Sequence, residues 1–308
     1  MFKILLSRLL QSILVLYLLF TITFFLTRAM PGNLLASERA MPEHIRAKVE
    51  AYYGLNKPLT TQYAMQLGNF VQGDPGYSYR LEGRPVIEVI QQALPVSFQL
   101  GITAMIVALS IGIPAGCIAA ARKNSLIDTG SMMLAMLGIC LPAFVIGPIL
   151  AEYFGRKLGA LPAYGWEAGT PNTWILPAIT LGLAYAAYLS RLTRAGMLET
   201  LSQDFVRTAR AKGVPGSQIL IRHCLRGGLI PAVAYIGPAF AGIVSGSLVV
   251  ETVFQVPGLG RQFIKAIETL DVPMILCVTM IYGTLVILAN FVTDLAGAWL
   301  NPRLRKSA

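Results

Sequence analysis

The spacing of charged positions divides this chain into long apolar runs and short polar connections. Six stretches contain no Asp, Glu, Lys or Arg: Leu9–Thr27, Val89–Ala121, Thr129–Ala151, Ala168–Ser190, Gly227–Val250 and Val272–Thr293, of 19, 33, 23, 23, 24 and 22 residues. A helix rises about 1.5 Å per residue and the hydrocarbon core of a bilayer is about 30 Å thick, so about 20 apolar residues suffice to cross it. Each stretch therefore predicts one spanning helix, and the chain reads as an all-α integral membrane protein with six transmembrane helices. The other long gap, Pro58–Gly73, is too short and too polar to count.

Composition agrees. Of 308 residues, 55% are hydrophobic and 13% charged, and the mean hydropathy is +0.62. Soluble domains carry about 25% charged residues. An ordinary cytosolic enzyme, a disordered tail and a disulfide scaffold are all excluded on this ground. The first apolar run exceeds the core of a signal peptide and lacks a small-x-small cleavage site after it, so it is expected to stay as an anchor. Cys117, Cys140 and Cys277 fall inside spans and Cys224 in a cytoplasmic connection, where thiols act as small apolar residues.

Charge sets the expected orientation. Lys3 and Arg8 precede the first span, which places the N-terminus in the cytoplasm, and alternation puts the Arg122–Asp128 turn, the Arg191–Arg226 loop and the C-terminal tail there too. These pieces carry 2, 2, 7 and 3 Lys and Arg residues, together 14 of the chain's 25. The formal net charge of +10 is thus read as a topology signal and not as a nucleic-acid surface. The domain reading is an anchoring helix over 1–28, an extracytoplasmic segment over 29–94, a five-helix domain over 95–295 and a cytoplasmic tail over 296–308. In the second piece Met41–Tyr53 is helix-compatible, and Gly73-Asp-Pro-Gly76 and Glu82-Gly83 signal turns.

Pro95, Pro114, Pro142, Pro148, Pro177, Pro231 and Pro238 are among the prolines in the spans, where neighbouring helices can satisfy the carbonyls they free. Gly112-x-x-x-Gly116 and Gly242-x-x-x-Gly246 suit close helix packing, within the chain or against a second membrane subunit. No span has an ionisable residue at its centre; proton pumps and ion-coupled carriers usually keep one.

The 36-residue loop Arg191–Arg226 is the most informative stretch. Thr200 or Ser202 is a candidate N-cap, and Asp204 stands in the first turn, where the helix dipole favours an anion. Phe205, Ala209 and Lys212 share one helical face, and Arg207 and Arg210 another. Gly213 is placed for a left-handed C-terminal cap, and Pro215 prevents continuation. A second amphipathic turn, Gln218–Arg226, follows. The small residues Thr208, Ala209 and Ala211 suit a partner's groove, whereas the basic charge suits anionic headgroups. On the residues alone both readings stand.

Arg207-Thr-Ala-Arg-Ala-Lys-Gly213, followed by Arg222-His-Cys-Leu-Arg226, resembles the EAA motif of membrane permease subunits of bacterial ABC importers. It departs from the general motif, which has Glu-Ala-Ala at its start and Pro after the Leu, but fits the peptide-importing branch. Met30-Pro31-Gly32, Gly73–Ser78, Val250–Gly260 and Asn301-Pro-Arg303 agree, so the similarity runs through the whole chain. The chain is similar to B-type permease subunits of bacterial oligopeptide and dipeptide ABC importers. That resemblance implies the type I importer permease fold with an extra N-terminal helix and a periplasmic segment, in a bacterial inner membrane with both termini cytoplasmic. It implies a homologous second permease subunit, two ATP-binding subunits and an extracytoplasmic peptide-binding protein as partners, besides membrane lipid. It also implies that Asp204, Phe205, Arg207, Thr208, Ala209, Arg210, Lys212, Gly213, Val214 and His223 form the contact with the ATPases. Related subunits serve dipeptides, glutathione or nickel complexes as well.

None of the eight lysines follows a glycine, so no phosphate-binding loop can form here, and ATP and Mg are expected on the partners. The two histidines, His44 and His223, are expected on opposite sides of the membrane, which leaves no His-based metal pair and no nucleophile–base set. The chain is expected not to be an enzyme. The rival class is an autonomous carrier, against which stand the charge-free span centres and the basic loop.

Overall fold

The computed structural model describes residues 2–30, 43–81, 83–167 and 169–300. Among these the elements are helical: α1 (Phe2–Ala29), α2 (Glu43–Tyr53), α3 (Leu59–Val71), α4 (Val86–Ala121), α5 (Leu126–Cys140), α6 (Ala143–Leu150), α7 (Asn172–Leu201), α8 (Asp204–Ala211), the single turns α9 (Gly216–Gln218) and α10 (Leu225–Gly228), α11 (Ile230–Val253), α12 (Leu259–Thr269) and α13 (Val272–Leu300). π-helical stretches continue α6 over Ala151–Lys157 and join α9 to α10 over Ile219–Cys224. Pro31, Gly32, Met41, Pro42 and the Asn301–Arg303 motif lie outside the described residues.

Five helices are long and apolar enough to cross a membrane. The third apolar run differs from expectation. It is not one straight helix but α5 and α6, bent by 103° at Leu141–Pro142. Proline excludes the α conformation from the residue before it, and Leu141 is extended, with φ −83° and ψ 116°. The bent pair still crosses. Its first end is held beside Arg194 through Asp128, and the chain that follows it returns to the opposite end of α7. There the Glu167 amide donates to Thr173 Oγ1 at 3.2 Å and Trp174 Nε1 donates to the Glu167 carbonyl at 3.1 Å. Thr173 and Arg194 are about 30 Å apart along a helix, the thickness of the hydrocarbon core. Six crossings stand, one of them broken.

Charge-free runs mark the hydrocarbon and not the helix ends. α4 begins before its run, and α7 continues through Arg191 and Arg194 to Leu201, so the first part of the predicted loop is helix. Pro177 and Pro238 remain inside α7 and α11.

The chain divides into two compact units. One comprises the described residues up to Ser97 together with Pro257–Leu288, and the other Phe98–Val256 with the described residues from Ala289. In the first, Phe20, Phe24, Val49, Tyr53, Tyr79, Val272, Leu276 and Met280 form a core that joins α1, α2 and α13. The guanidinium of Arg28 lies 3.6 Å from the Phe24 ring centre and donates to Gln62 and Gln66. The Ser78 hydroxyl donates to the Asp271 carboxylate, which also accepts from the Tyr79 amide at 3.1 Å.

In the second unit glycine permits close helix approach. A Cβ on Gly112 would stand 2.5 Å from the Ala186 carbonyl oxygen, and one on Gly116 would meet the Ser190 carbonyl. One on Gly242 would stand 2.6 Å from Tyr185 Oη. Gly112, Gly116 and Gly242 are thus spent on packing within the chain, whereas Gly246 is exposed and a Cβ there would meet only Tyr185 Oη, at 3.8 Å.

Candidate functional site

The loop that carries the motif lies wholly in the second unit and is built on its own small core. Val206, Ile219, Cys224, Met197 and Ala120 are buried together, with Leu201, Ala209, Val214, Leu220 and Leu225 packed around them. Val206 is the one fully buried residue of α8. With Ala209 three residues on, it supplies the inward stripe that an amphipathic helix needs.

The N-terminus of α8 differs from the sequence expectation. Its cap is Gln203, extended and without a side-chain cap bond. Thr200 and Ser202 instead donate their hydroxyls back to the Gly196 and Glu199 carbonyls at 2.9 and 2.7 Å. Because α7 runs on to Leu201, these hydroxyls belong to its last turn. Asp204 keeps its place in the first turn of α8 and lies 3.6 Å from Arg207. Both side chains are exposed, so this ion pair contributes little.

The C-terminus is a Schellman motif. Gly213 has φ +75°. Its amide donates to the Arg210 carbonyl at 2.9 Å, and the Val214 amide donates to the Ala209 carbonyl at 3.2 Å. These are the two bonds that satisfy orphan carbonyls at such a cap, and Val214 packs against the same core as Ala209, the contact that usually accompanies it. Pro215 then turns the chain into α9.

The candidate residues separate into two sets. Asp204, Phe205, Arg207, Thr208, Arg210, Lys212 and Gly213 are exposed along α8 and its cap, and His223 is exposed on the π-helical stretch. Ala209 and Val214 are half-buried and face the loop's own core, so Ala209 does not belong to an outward small-residue face. Phe205 is 48% exposed, an aromatic ring held outward on a short basic helix. Cys224 is buried; burial pushes its thiol pKa up, offset in part by the Arg210 charge. It is a packing residue.

Two features at the base of the loop escape sequence reasoning. Gly196 on α7 lies directly against the Gly228 carbonyl, so that no Cβ fits there. Asp128 is 4% exposed and accepts from Arg194 Nε at 2.5 Å and Nη2 at 2.7 Å. The pattern Ser125-x-x-Asp128 is a capping-box signature that could have marked Asp128, and Ser125 does cap α5. Nothing local marks its partner.

Comparison with known proteins decides the family. The model of the "binding-protein-dependent transport system inner membrane component" matches residues 112–306, and that of the N-terminal component of such systems matches residues 1–101. The chain belongs to this family of transport-system inner membrane components. It is 42% identical to the oligopeptide transport system permease protein OppB of Haemophilus influenzae over 99% of this chain and 100% of that one. It is 41% identical to OppB of Salmonella typhimurium over the same shares, and 39% identical to the dipeptide transport system permease protein DppB of Lactococcus lactis. Among solved structures, the inward-facing MetNI methionine ABC transporter matches with TM-score 0.57 and 14% identity, covering 70% of this chain and 97% of that one. An amino acid ABC transporter matches with TM-score 0.52 and 15% identity, over 68% and 94%. These likenesses give this inner membrane component the fold of ABC importer permeases. It is a multi-pass membrane permease subunit, a transport component whose family works with other permease, ATP-hydrolysing and binding-protein subunits.

Proposed function

We propose that this chain forms half of the translocation path of an ATP-driven oligopeptide importer and that α8 is its contact with the ATPase subunits. Full-length similarity to oligopeptide permeases is the observation that carries the substrate. The capped, outward helix carries the coupling role. α8 is short, closed at its C-terminus by two backbone bonds, and seated on a core that continues into α4 and α7. A push on such a helix moves its supports, because packed interiors are stiff.

In this reading the loop faces the cytoplasm, as the concentration of 14 of 25 basic residues on that side favours. ATP and Mg bind only the partner subunits, since no lysine follows a glycine in this chain. A second, homologous permease subunit completes the path. An extracytoplasmic binding protein delivers the peptide on the face opposite the loop.

The test is transport by the assembled importer in vesicles, with peptides of graded length and binding protein inside or outside. ATP-dependent accumulation of peptides longer than two residues is the expected result. Accumulation of dipeptides alone would overturn the oligopeptide assignment, and accumulation by this chain without ATPases would overturn the coupling role.

A further inference from the structure

Asp128 and Arg194 are 66 positions apart, yet they form an ion pair in which the carboxylate is only 4% exposed. Their surroundings fix both partners. Asp128 sits in the first turn of α5 and its amide donates to the Ser125 hydroxyl at 3.3 Å. Its Oδ2 accepts from the Asn124 amide at 2.9 Å as well as from Arg194 Nη2. Asn124 is left-handed, with φ +62°, so the connection between α4 and α5 is folded back onto this carboxylate. Arg194 uses Nε and Nη2 together, the planar two-pronged grip that a lysine cannot reproduce. It stands on α7 two residues before Gly196, where α7 touches Gly228 and the loop begins and ends. The pair thus ties the base of the loop to the start of α5. At its other end α5 meets the 103° break at Leu141–Pro142, where the hydrogen-bond ladder of α5 ends with the Leu141 amide on the Leu137 carbonyl and that of α6 starts afresh from the Pro142 carbonyl.

We infer that the Asp128–Arg194 pair is a strut that passes movement of the α8 loop to α5, so that α5 turns about the Leu141–Pro142 break as the loop moves. Arg194 and Asp128 are positioning residues: neither touches ATP or peptide. Burying such a pair is costly, and well-packed apolar substitutes are often as stable, so a need for stability alone does not explain it. A charged, two-pronged link resists sliding and rotation between two helices, whereas an apolar contact does not.

This inference rests on the proposed importer function, and the experiment separates the two. The whole importer is reconstituted, and peptide accumulated per ATP hydrolysed is measured for wild type, Arg194→Lys, Arg194→Gln, Asp128→Asn and the apolar pair Asp128→Leu/Arg194→Met. A wild-type complex that imports nothing refutes the function, not the strut. With an active wild type, Arg194→Gln and Asp128→Asn are expected to lower the ratio about tenfold, within the range of interaction energies between residues of one ion-pair network. The apolar pair assembles normally but stays uncoupled, and Arg194→Lys recovers only part of the ratio. An apolar pair with the wild-type ratio shows a merely structural contact and overturns the inference. If the single variants fail to assemble, the apolar pair and Arg194→Lys still decide it.

Discussion

The Val214 amide reaches back to the Ala209 carbonyl at 3.2 Å, and this bond closes α8 only because Gly213 between them is left-handed, at φ +75°. The space around Gly213 is open: a Cβ there would meet nothing within 4 Å. Any effect of substitution is therefore a backbone effect.

That gives an ordered series at one position. Gly213→Asn should be nearly silent, since Asn enters the left-handed region readily. Gly213→Ala should cost about 1 kcal/mol and Gly213→Val about 1–2 kcal/mol of cap stability. The check is amide exchange of Gly213 and Val214 together with substrate-stimulated ATP hydrolysis in the full importer, which should fall in the same order. Equal behaviour of Asn and Val would remove the cap from the coupling argument.

The sequence carried much of this loop. Gly213 and Pro215 mark the end of α8, because caps are local chemistry, whereas the N-cap expected at Thr200 or Ser202 falls at the end of α7 and α8 starts behind Gln203. The inward side of α8 is not legible in the sequence: Ala209 reads as a small residue suited to a partner's groove, and only the buried Val206 beside it shows which way the helix rolls. Among the span prolines Pro142 sits at the 103° break, and its neighbours do not distinguish it from Pro177, which stays inside α7. The difference is tertiary, as is the Asp128–Arg194 pair, whose partners come from different helices. Apolar runs are read one residue at a time; contacts between them are not.

Two glycines on neighbouring helices should answer oppositely to the same methyl group. Gly112→Ala forces a Cβ to 2.5 Å from the Ala186 carbonyl and 2.9 Å from Leu189 Cβ, so α4 must withdraw from α7. Gly130→Ala on α5 meets nothing within 4 Å and should gain roughly 0.5–1 kcal/mol from helix propensity. Thermal unfolding in detergent should show a lowered midpoint for the first and an unchanged or raised one for the second.

Asp271 links stability of the first unit to pH. Burial raises its carboxyl pKa, while hydrogen bonds from Ser78 and the Tyr79 and Met274 amides and the Arg80 charge oppose the rise. With the net shift upward, the folded state holds the proton more tightly than the unfolded one. Stability from this group is then fully present below the ordinary carboxylate pKa and is lost as pH rises through the folded value. Asp271→Asn should flatten that part of the profile, seen as a smaller difference in melting temperature between mildly acidic and neutral buffer. An unchanged slope would show that Asp271 does not titrate there.

Cysteine labelling tests orientation, and the structure changes the choice of position. Ser78 is fully buried and would not report on either side. Thr60 on α3 and Ser217 on α9 are exposed. With an impermeant maleimide on intact spheroplasts, Thr60→Cys should label and Ser217→Cys should label only after lysis. The reverse pattern would put α8 outside, where no ATPase could reach it.

The two faces of α8 separate docking from folding. Phe205 is 48% exposed and is not one of the buried residues of the loop core, so Phe205→Ala removes an outward aromatic group and is expected to leave α8 seated. Exposed aromatic anchors at protein contacts typically contribute about 2 kcal/mol, so affinity for the ATPase subunits should fall markedly while the loop stays resistant to protease. Ala209→Glu does the opposite: it drives a carboxylate toward Val206, Ile219 and Cys224, where an unpaired charge is costly. That variant should make the loop protease-sensitive before any ATPase is added, and its weaker docking would follow from the lost fold. If Phe205→Ala binds the ATPases as wild type does while Ala209→Glu remains folded and fails to bind, the docking face is the one that carries Ala209 and the orientation assigned to α8 is wrong.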